Sequence, residues 1–309
     1  MEPFSKQKPS GPTDYRRFLK PETVSRLANM DLRARLVVEG FIAGLHRSPY
    51  HGFSVEFAEH RQYMPGDEIK HVDWKVYGKT DRFYVKQFEE ETNLKAYLLL
   101  DASGSMGYAS NGITKLEYAS YLAAALTYLM LKQRDSVGLV TFDEKIRKYL
   151  PPRSVTTYLH VILQELERVT SGAETDVSIT FHELAERIKR RGLVIILSDL
   201  FDLPERVISG LKHFRHKKHE VIVFHILDPM ERSFNFKKDS VFKDLETGEE
   251  LTTQPWHIRG DYQRLMAEFI SSYKRQCREN RIDYVLMDTA QDFDRALFGY
   301  LTKRKSIGG

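Results

Sequence analysis

Beyond residue 93 the apolar residues gather into short, almost unbroken runs at 97–100, 137–142, 193–197, 221–226 and 284–287. Runs of this length without polar alternation predict strands covered on both faces. Between them the spacing turns helical. Leu116, Ala119, Ala123, Leu126 and Met130 share one helix face, and Val177, Phe181, Leu184 and Ile188 share another. Strand alternating with helix predicts an α/β domain built on a doubly wound, mostly parallel sheet. The run 146–150, close behind Asp143, reads as one antiparallel edge strand. Residues 234–262 break the alternation with two β-like pieces around Glu246-Thr247-Gly248-Glu249, which predicts a β-hairpin inserted before the last helix and strand. A final helix is expected over 292–301.

The first part of the chain has another character. Residues 1–20 are rich in Pro, Ser, Gly and Lys and read as a flexible tail. Residues 21–47 read as helix in two pieces, the second carrying Leu32, Leu36, Val37, Phe41 and Leu45 at near-helical spacing. From 48 to 91 short strand patterns alternate with turns such as Pro65-Gly66-Asp67, and Trp74 is expected to anchor this stretch on the sheet. The expected organisation is therefore a tail, a small α+β extension over 21–91 and the α/β domain over 92–309.

A chain of 309 residues can bury a large core. Its net charge of +4 comes from 47 basic and 43 acidic residues, a balance that implies no nucleic-acid partner. The short run Lys303-Arg304-Lys305 reads as a solvated basic tail. No apolar run approaches the length of a membrane span, so no membrane partner is expected. The single cysteine, Cys277, excludes an intrachain disulfide and suits a reducing, cytoplasmic setting.

The candidate chemistry lies at the strand ends. Asp101 closes the first apolar run, and Ser103 and Ser105 follow it across Gly104. Thr175 precedes a helical pattern, and Asp199 ends the run that starts at 193. Carboxyl ends of parallel strands are where open α/β sheets bind ligands. Two carboxylates and three hydroxyls make an oxygen-only donor set, which suits Mg²⁺, with Mn²⁺ or Ca²⁺ as alternatives.

The order Asp101-x-Ser103-x-Ser105, then Thr175, then Asp199 resembles the metal-ion-dependent adhesion site of von Willebrand factor A domains. Residues 57–74, running from Phe57-Ala58-Glu59-His60-Arg61 to Val72-Asp73-Trp74, resemble the signature of the bacterial domain of unknown function 58 family. Residues 83–91 and 242–250 are similar to its later segments. The resemblance implies a von Willebrand factor A-like domain joined to the extension. It further implies a chaperone-like role beside a MoxR-type AAA+ ATPase in maturing or assembling client proteins. On this reading the chain is a metal-dependent protein-interaction module, and a partner's acidic residue completes the ion's coordination.

Other motifs weigh less. Gly78-Lys79-Thr80 resembles the end of a phosphate loop, but Asp73 stands where its first glycine should be, so no nucleotide site is expected. His213, His216 and His219 recur every third residue among Lys212, Arg215, Lys217 and Lys218, which reads as a solvated basic helix end. Asp143, Asp228 and Asp288 also end predicted strands; Asp143 reads as a turn residue. Either of the others, near an ion, would serve as general base in the alternative reading, a magnesium-assisted hydrolase. Ser105 lacks the glycine spacing of an esterase nucleophile, and the chain is not expected to be an enzyme.

Overall fold

The computed structural model describes residues 20–25, 29–45, 60–63, 74, 77–78, 81–86, 94–172, 177–236, 240–243 and 250–307. Two helices come first, α1 (Pro21–Ser25) and α2 (Met30–Leu45), followed by the antiparallel pair β1 (His60–Gln62) and β2 (Tyr84–Lys86). The main sheet then begins with β3 (Lys95–Asp101), α3 (Lys115–Lys132), β4 (Ser136–Phe142) and β5 (Ile146–Arg153). It continues through α4 (Tyr158–Arg168), α5 (Val177–Arg187), β6 (Leu193–Ser198), α6 (Pro204–His216) and β7 (Glu220–Leu227). After the short α7 (Pro229–Ser233) come the hairpin β8 (Ser240–Lys243) and β9 (Glu250–Thr253), then α8 (Pro255–Glu279), β10 (Asp283–Asp288) and α9 (Asp294–Ile307).

The six-stranded sheet has the order β10-β7-β6-β3-β4-β5. All its neighbours run parallel except β4 and β5, which pair antiparallel at the edge. This is the doubly wound, mostly parallel sheet with one antiparallel edge strand that the alternation of apolar runs predicts. The chain moves from β3 outward to β5, then returns to lay β6 on the other side of β3. The order therefore reverses between β3 and β6, which makes the crevice between their carboxyl ends the natural ligand position.

Alternate strand residues feed two cores. Leu98, Leu100, Ile195, Leu197 and Phe224 pack with α3, α4 and α9, and Val24, Val37, Val38 and Phe41 of the first helices join the same core. Leu99, Val140, Ile196 and Val223 face the other way, against Phe181, Leu211, Phe214 and Tyr273. Burying each such large side chain is worth about 2–3 kcal/mol, so both faces hold the strands in register. α3 is buried on nearly every side, and its start is fixed by a capping box in which Thr114 and Glu117 bond each other's backbone N–H.

The structure adjusts several expectations. α8 starts at Pro255, inside the window read as hairpin, because a proline at the first helical position is compatible with helix initiation. The hairpin itself spans 240–253. α9 runs to Ile307, and Lys303 on it bonds Glu220 and Asp283 rather than forming part of a solvated tail. Trp74 is 58% exposed and meets the rings of Tyr77 and Phe83 within the extension, so it is not an anchor on the sheet. The expected tail over 1–19 and most of the 57–74 signature lie outside the described residues. Among the described residues no helix is long and apolar enough to cross a membrane.

Candidate metal centre

Asp101 is the last residue of β3 and is almost fully buried. Its Oδ1 accepts the backbone N–H of Ser103 at 2.9 Å, which turns the chain sharply over the strand end. Its Oδ2 accepts the hydroxyl of Ser198, the last residue of β6, at 2.6 Å. In the loop above, the Ser103 and Ser105 hydroxyl oxygens lie 3.1 Å apart. Two oxygens at right angles on one Mg²⁺ are about 3.0 Å apart, given metal–oxygen distances of about 2.1 Å. The two hydroxyls therefore have the spacing of adjacent ligands of a small hard cation, with a buried carboxylate beneath them. Burial, and then the nearby Asp199, push the Asp101 carboxyl well above the usual range, against the opposing bonds from Ser198 and Ser103. A carboxylate in that state gains from any cation brought close to it.

Asp199 fares differently. Its Oδ2 accepts the ammonium of Lys115 at 2.7 Å, and Oδ1 accepts the N–H of Phe201 at 3.2 Å. Lys115 is the first residue of α3 and is fully buried. It also donates to Glu231 of α7 at 2.5 Å and lies over the Phe201 ring at 4.7 Å. Burial alone would lower the lysine pKa, but Asp199 and Glu231 outweigh it and hold it above the ordinary value. A cation at a helix amino terminus opposes the helix dipole. These two carboxylates keep it there. The side chain that completes the pole was thus missed in the sequence, although a lysine opening an apolar helix is the signal that could have found it.

The backbone between the two halves is strained. Leu200 adopts a left-handed φ of 54°, costly for a branched side chain. It is held there by Ser198 Oγ, which accepts its N–H at 2.9 Å, by the Tyr273 hydroxyl donating to its carbonyl at 3.0 Å, and by full burial of its side chain. Ser198 therefore ties Asp101 to the Asp199 loop with one hydroxyl.

Thr175 lies outside the described residues. The chain just before it is anchored to the site: Gly172 donates its N–H to the Ala102 carbonyl at 2.8 Å. Arg147 reaches over from β5 to the Thr170 carbonyl at 2.6 Å and to Asp143. A Cβ at Gly172 would meet that guanidinium, which would have to shift to make room.

Of the remaining acids, Asp143 is spent on Arg147. Asp228 caps α7 through the Met230 N–H at 2.7 Å and accepts both the N–H and the hydroxyl of Ser110. Asp288 pairs with Arg232 at 2.9 Å. Asp228 and Asp288, the two acids considered as general bases, are thus each engaged by hydrogen-bond or ion-pair partners. Among the described residues no three His, Cys, Asp or Glu side chains converge on one point. The fit to Mg²⁺ therefore rests on neutral hydroxyls above Asp101, with Asp199 already paired to Lys115.

A family model described as "Protein of unknown function DUF58" matches residues 59–270. "Uncharacterized protein Rv1480" of Mycobacterium tuberculosis is 24% identical over 295 residues, spanning 92% of this chain and 90% of its own. "Uncharacterized protein Mb1516" of Mycobacterium bovis matches at the same level. Among solved structures, the conserved hypothetical protein BatB from Bacteroides thetaiotaomicron superposes with a TM-score of 0.48 at 15% identity, covering 69% of this chain and 99% of that one. The SpRpn10 VWA domain gives a TM-score of 0.38 at 11% identity, over 67% of this chain and 94% of the other.

Proposed function

The chain belongs to the DUF58 family, and from that premise we propose that it is a protein-interaction module whose contact is made through Mg²⁺ at the carboxyl pole of the sheet. The observation that carries this reading is the pair of Ser103 and Ser105 hydroxyls 3.1 Å apart above buried Asp101. These two side chains, with Asp101 and Thr175, would hold the ion. Bound there, Mg²⁺ would supply an electrophile with a coordination position left for a carboxylate from outside.

The chain's own residues set how strongly that position attracts an anion. Serine donors bring no charge, and Lys115 already neutralises much of Asp199 and Glu231. The pole therefore keeps one carboxylate, Asp101, for the ion, and the ion retains most of its charge for a partner. Asp199 acts at one remove, by fixing Lys115 and the strained Leu200 turn. A partner with an exposed Asp or Glu fits this site, and the family resemblance makes a MoxR-type AAA+ ATPase or its client the proposed one.

Affinity capture from the native host with Mg²⁺, and again with chelator, tests the reading. The complex should form with Mg²⁺, fall away with chelator and weaken when Ser103→Ala is combined with Ser105→Ala. Capture that ignores both the chelator and the serine changes would put the contact elsewhere.

A further inference from the structure

Away from the pole, α5 and α6 lie side by side on one face of the sheet. Gly210 of α6 sits against Phe181 of α5 so closely that a Cβ there would come within 2.7 Å of the phenylalanine Cβ. That glycine lets the helices close. Their next side chains along the seam, His182 and His213, face each other with Nδ1 atoms 3.0 Å apart. The outer nitrogens are held as well. His213 Nε2 lies 2.9 Å from Glu186 Oε1, and His182 Nε2 lies 3.5 Å from Ser209 Oγ.

We propose that His182 and His213 form a two-histidine site for a borderline divalent transition-metal ion of the Zn²⁺ class. The ion would sit between the two Nδ1 atoms, with water filling its other positions, and clip α5 to α6. Imidazole is a preferred ligand of such ions. Metal–nitrogen distances of about 2.0–2.1 Å separate two nitrogens on one ion by roughly 2.9 Å at a right angle and roughly 3.3 Å at the tetrahedral angle. The observed separation falls inside that window.

The outer contacts have the form that metal-bound histidines require, an acceptor on the nitrogen away from the ion. Glu186 accepting from His213 Nε2–H leaves the Nδ1 lone pair facing inward, and Ser209 can do the same for His182. Two inward lone pairs repel unless a proton or a cation lies between them. The basic surroundings are partly neutralised, since Lys217 donates to Glu186 at 2.8 Å. The three-residue histidine repeat is not itself the site. His219 is buried, bonding the Gly192 N–H and lying 3.1 Å from the Ile188 carbonyl, and His216 faces solvent.

The test titrates tag-free full-length protein with Zn²⁺ or Ni²⁺ by calorimetry in excess Mg²⁺, which keeps the pole from competing. One ion should bind in the micromolar range and raise the melting temperature. His182→Gln and His213→Gln should each weaken binding at least tenfold and cancel the thermal shift, with circular dichroism confirming the fold. Glu186→Gln, which removes only the ring's orienting partner, should weaken it by roughly tenfold. Ser103→Ala with Ser105→Ala should leave it unchanged. Unchanged affinity in both histidine variants, or no uptake by the unaltered protein below millimolar metal, would overturn the proposal and leave a proton-sharing histidine pair.

Discussion

The two halves of the pole start alike, each with an aspartate at the carboxyl end of a parallel strand, and differ in where their counter-charge comes from. At Asp101 the nearest donors are a backbone N–H and the Ser198 hydroxyl, and the hydroxyls above it are neutral. At Asp199 the counter-charge is built in, as Lys115 buried between it and Glu231. The lesson concerns division of labour. The lysine half is a structural ion pair that holds loops and helix start in place, whereas the Asp101 half holds a buried carboxyl that has hydrogen-bond donors but, among the described residues, no ion-pair partner.

The largest effect should follow from removing the internal cation. Lys115→Met strands two carboxylates in a buried site and is expected to cost about 3–5 kcal/mol in urea unfolding. Adding Asp199→Asn and Glu231→Gln to it should restore much of that loss. A Lys115→Met protein as stable as the unaltered one would mean that the lysine half is not the strut described here.

Metal binding should split the halves the opposite way. Asp101→Asn is expected to abolish Mg²⁺ and Mn²⁺ binding in calorimetry while costing about 1 kcal/mol of stability, because the amide oxygen still accepts one of the two hydrogen bonds. Asp199→Asn should lower metal affinity less than Asp101→Asn and lower stability more. Reversal of that order would erase the distinction.

A smaller effect concerns His225, which pairs in register with Ser198 and is fully buried in the lysine half. Its Nδ1 lies 2.6 Å from the Tyr284 hydroxyl. Burial, only partly offset by Asp199, pushes its pKa down to about 4. The unfolded chain then binds the proton more readily than the folded one. The stability from neutral His225 is complete above about pH 6.5 and drains away as pH falls towards 4. By pH 5.5 the loss should reach about 1.4 kcal/mol. Denaturant midpoints from pH 8 to 5 should therefore fall more for the unaltered protein than for His225→Leu, and parallel curves would remove His225 from this role.

How far the sequence disclosed this arrangement follows from how local each signal is. Asp101, Ser103 and Ser105 are separated by two positions at the end of an apolar run, so strand period and loop spacing bring them together without tertiary information. The sheet was legible for a related reason: runs such as 193–197 have no polar face and must be covered twice. Lys115 was not legible as a site residue, because its partners lie 84 and 116 positions away. Asp228 could have been struck from the candidate bases. Asp228-Pro229 followed by Glu231 is a helix-start pattern, and the structure uses it as a capping box. Ser198 gave no signal, since a hydroxyl ending a buried strand looks like any other strand residue until its neighbour strand is known.

The account stands or falls on where the ion binds. Calorimetric titration of Mn²⁺ into the unaltered protein, into Ser103→Ala with Ser105→Ala, and into Asp199→Asn compares the halves directly. The expected result is one ion for the unaltered protein, none for the double serine variant and a retained, weakened site for Asp199→Asn. Binding that survives loss of both hydroxyls but vanishes with Asp199 would contradict it.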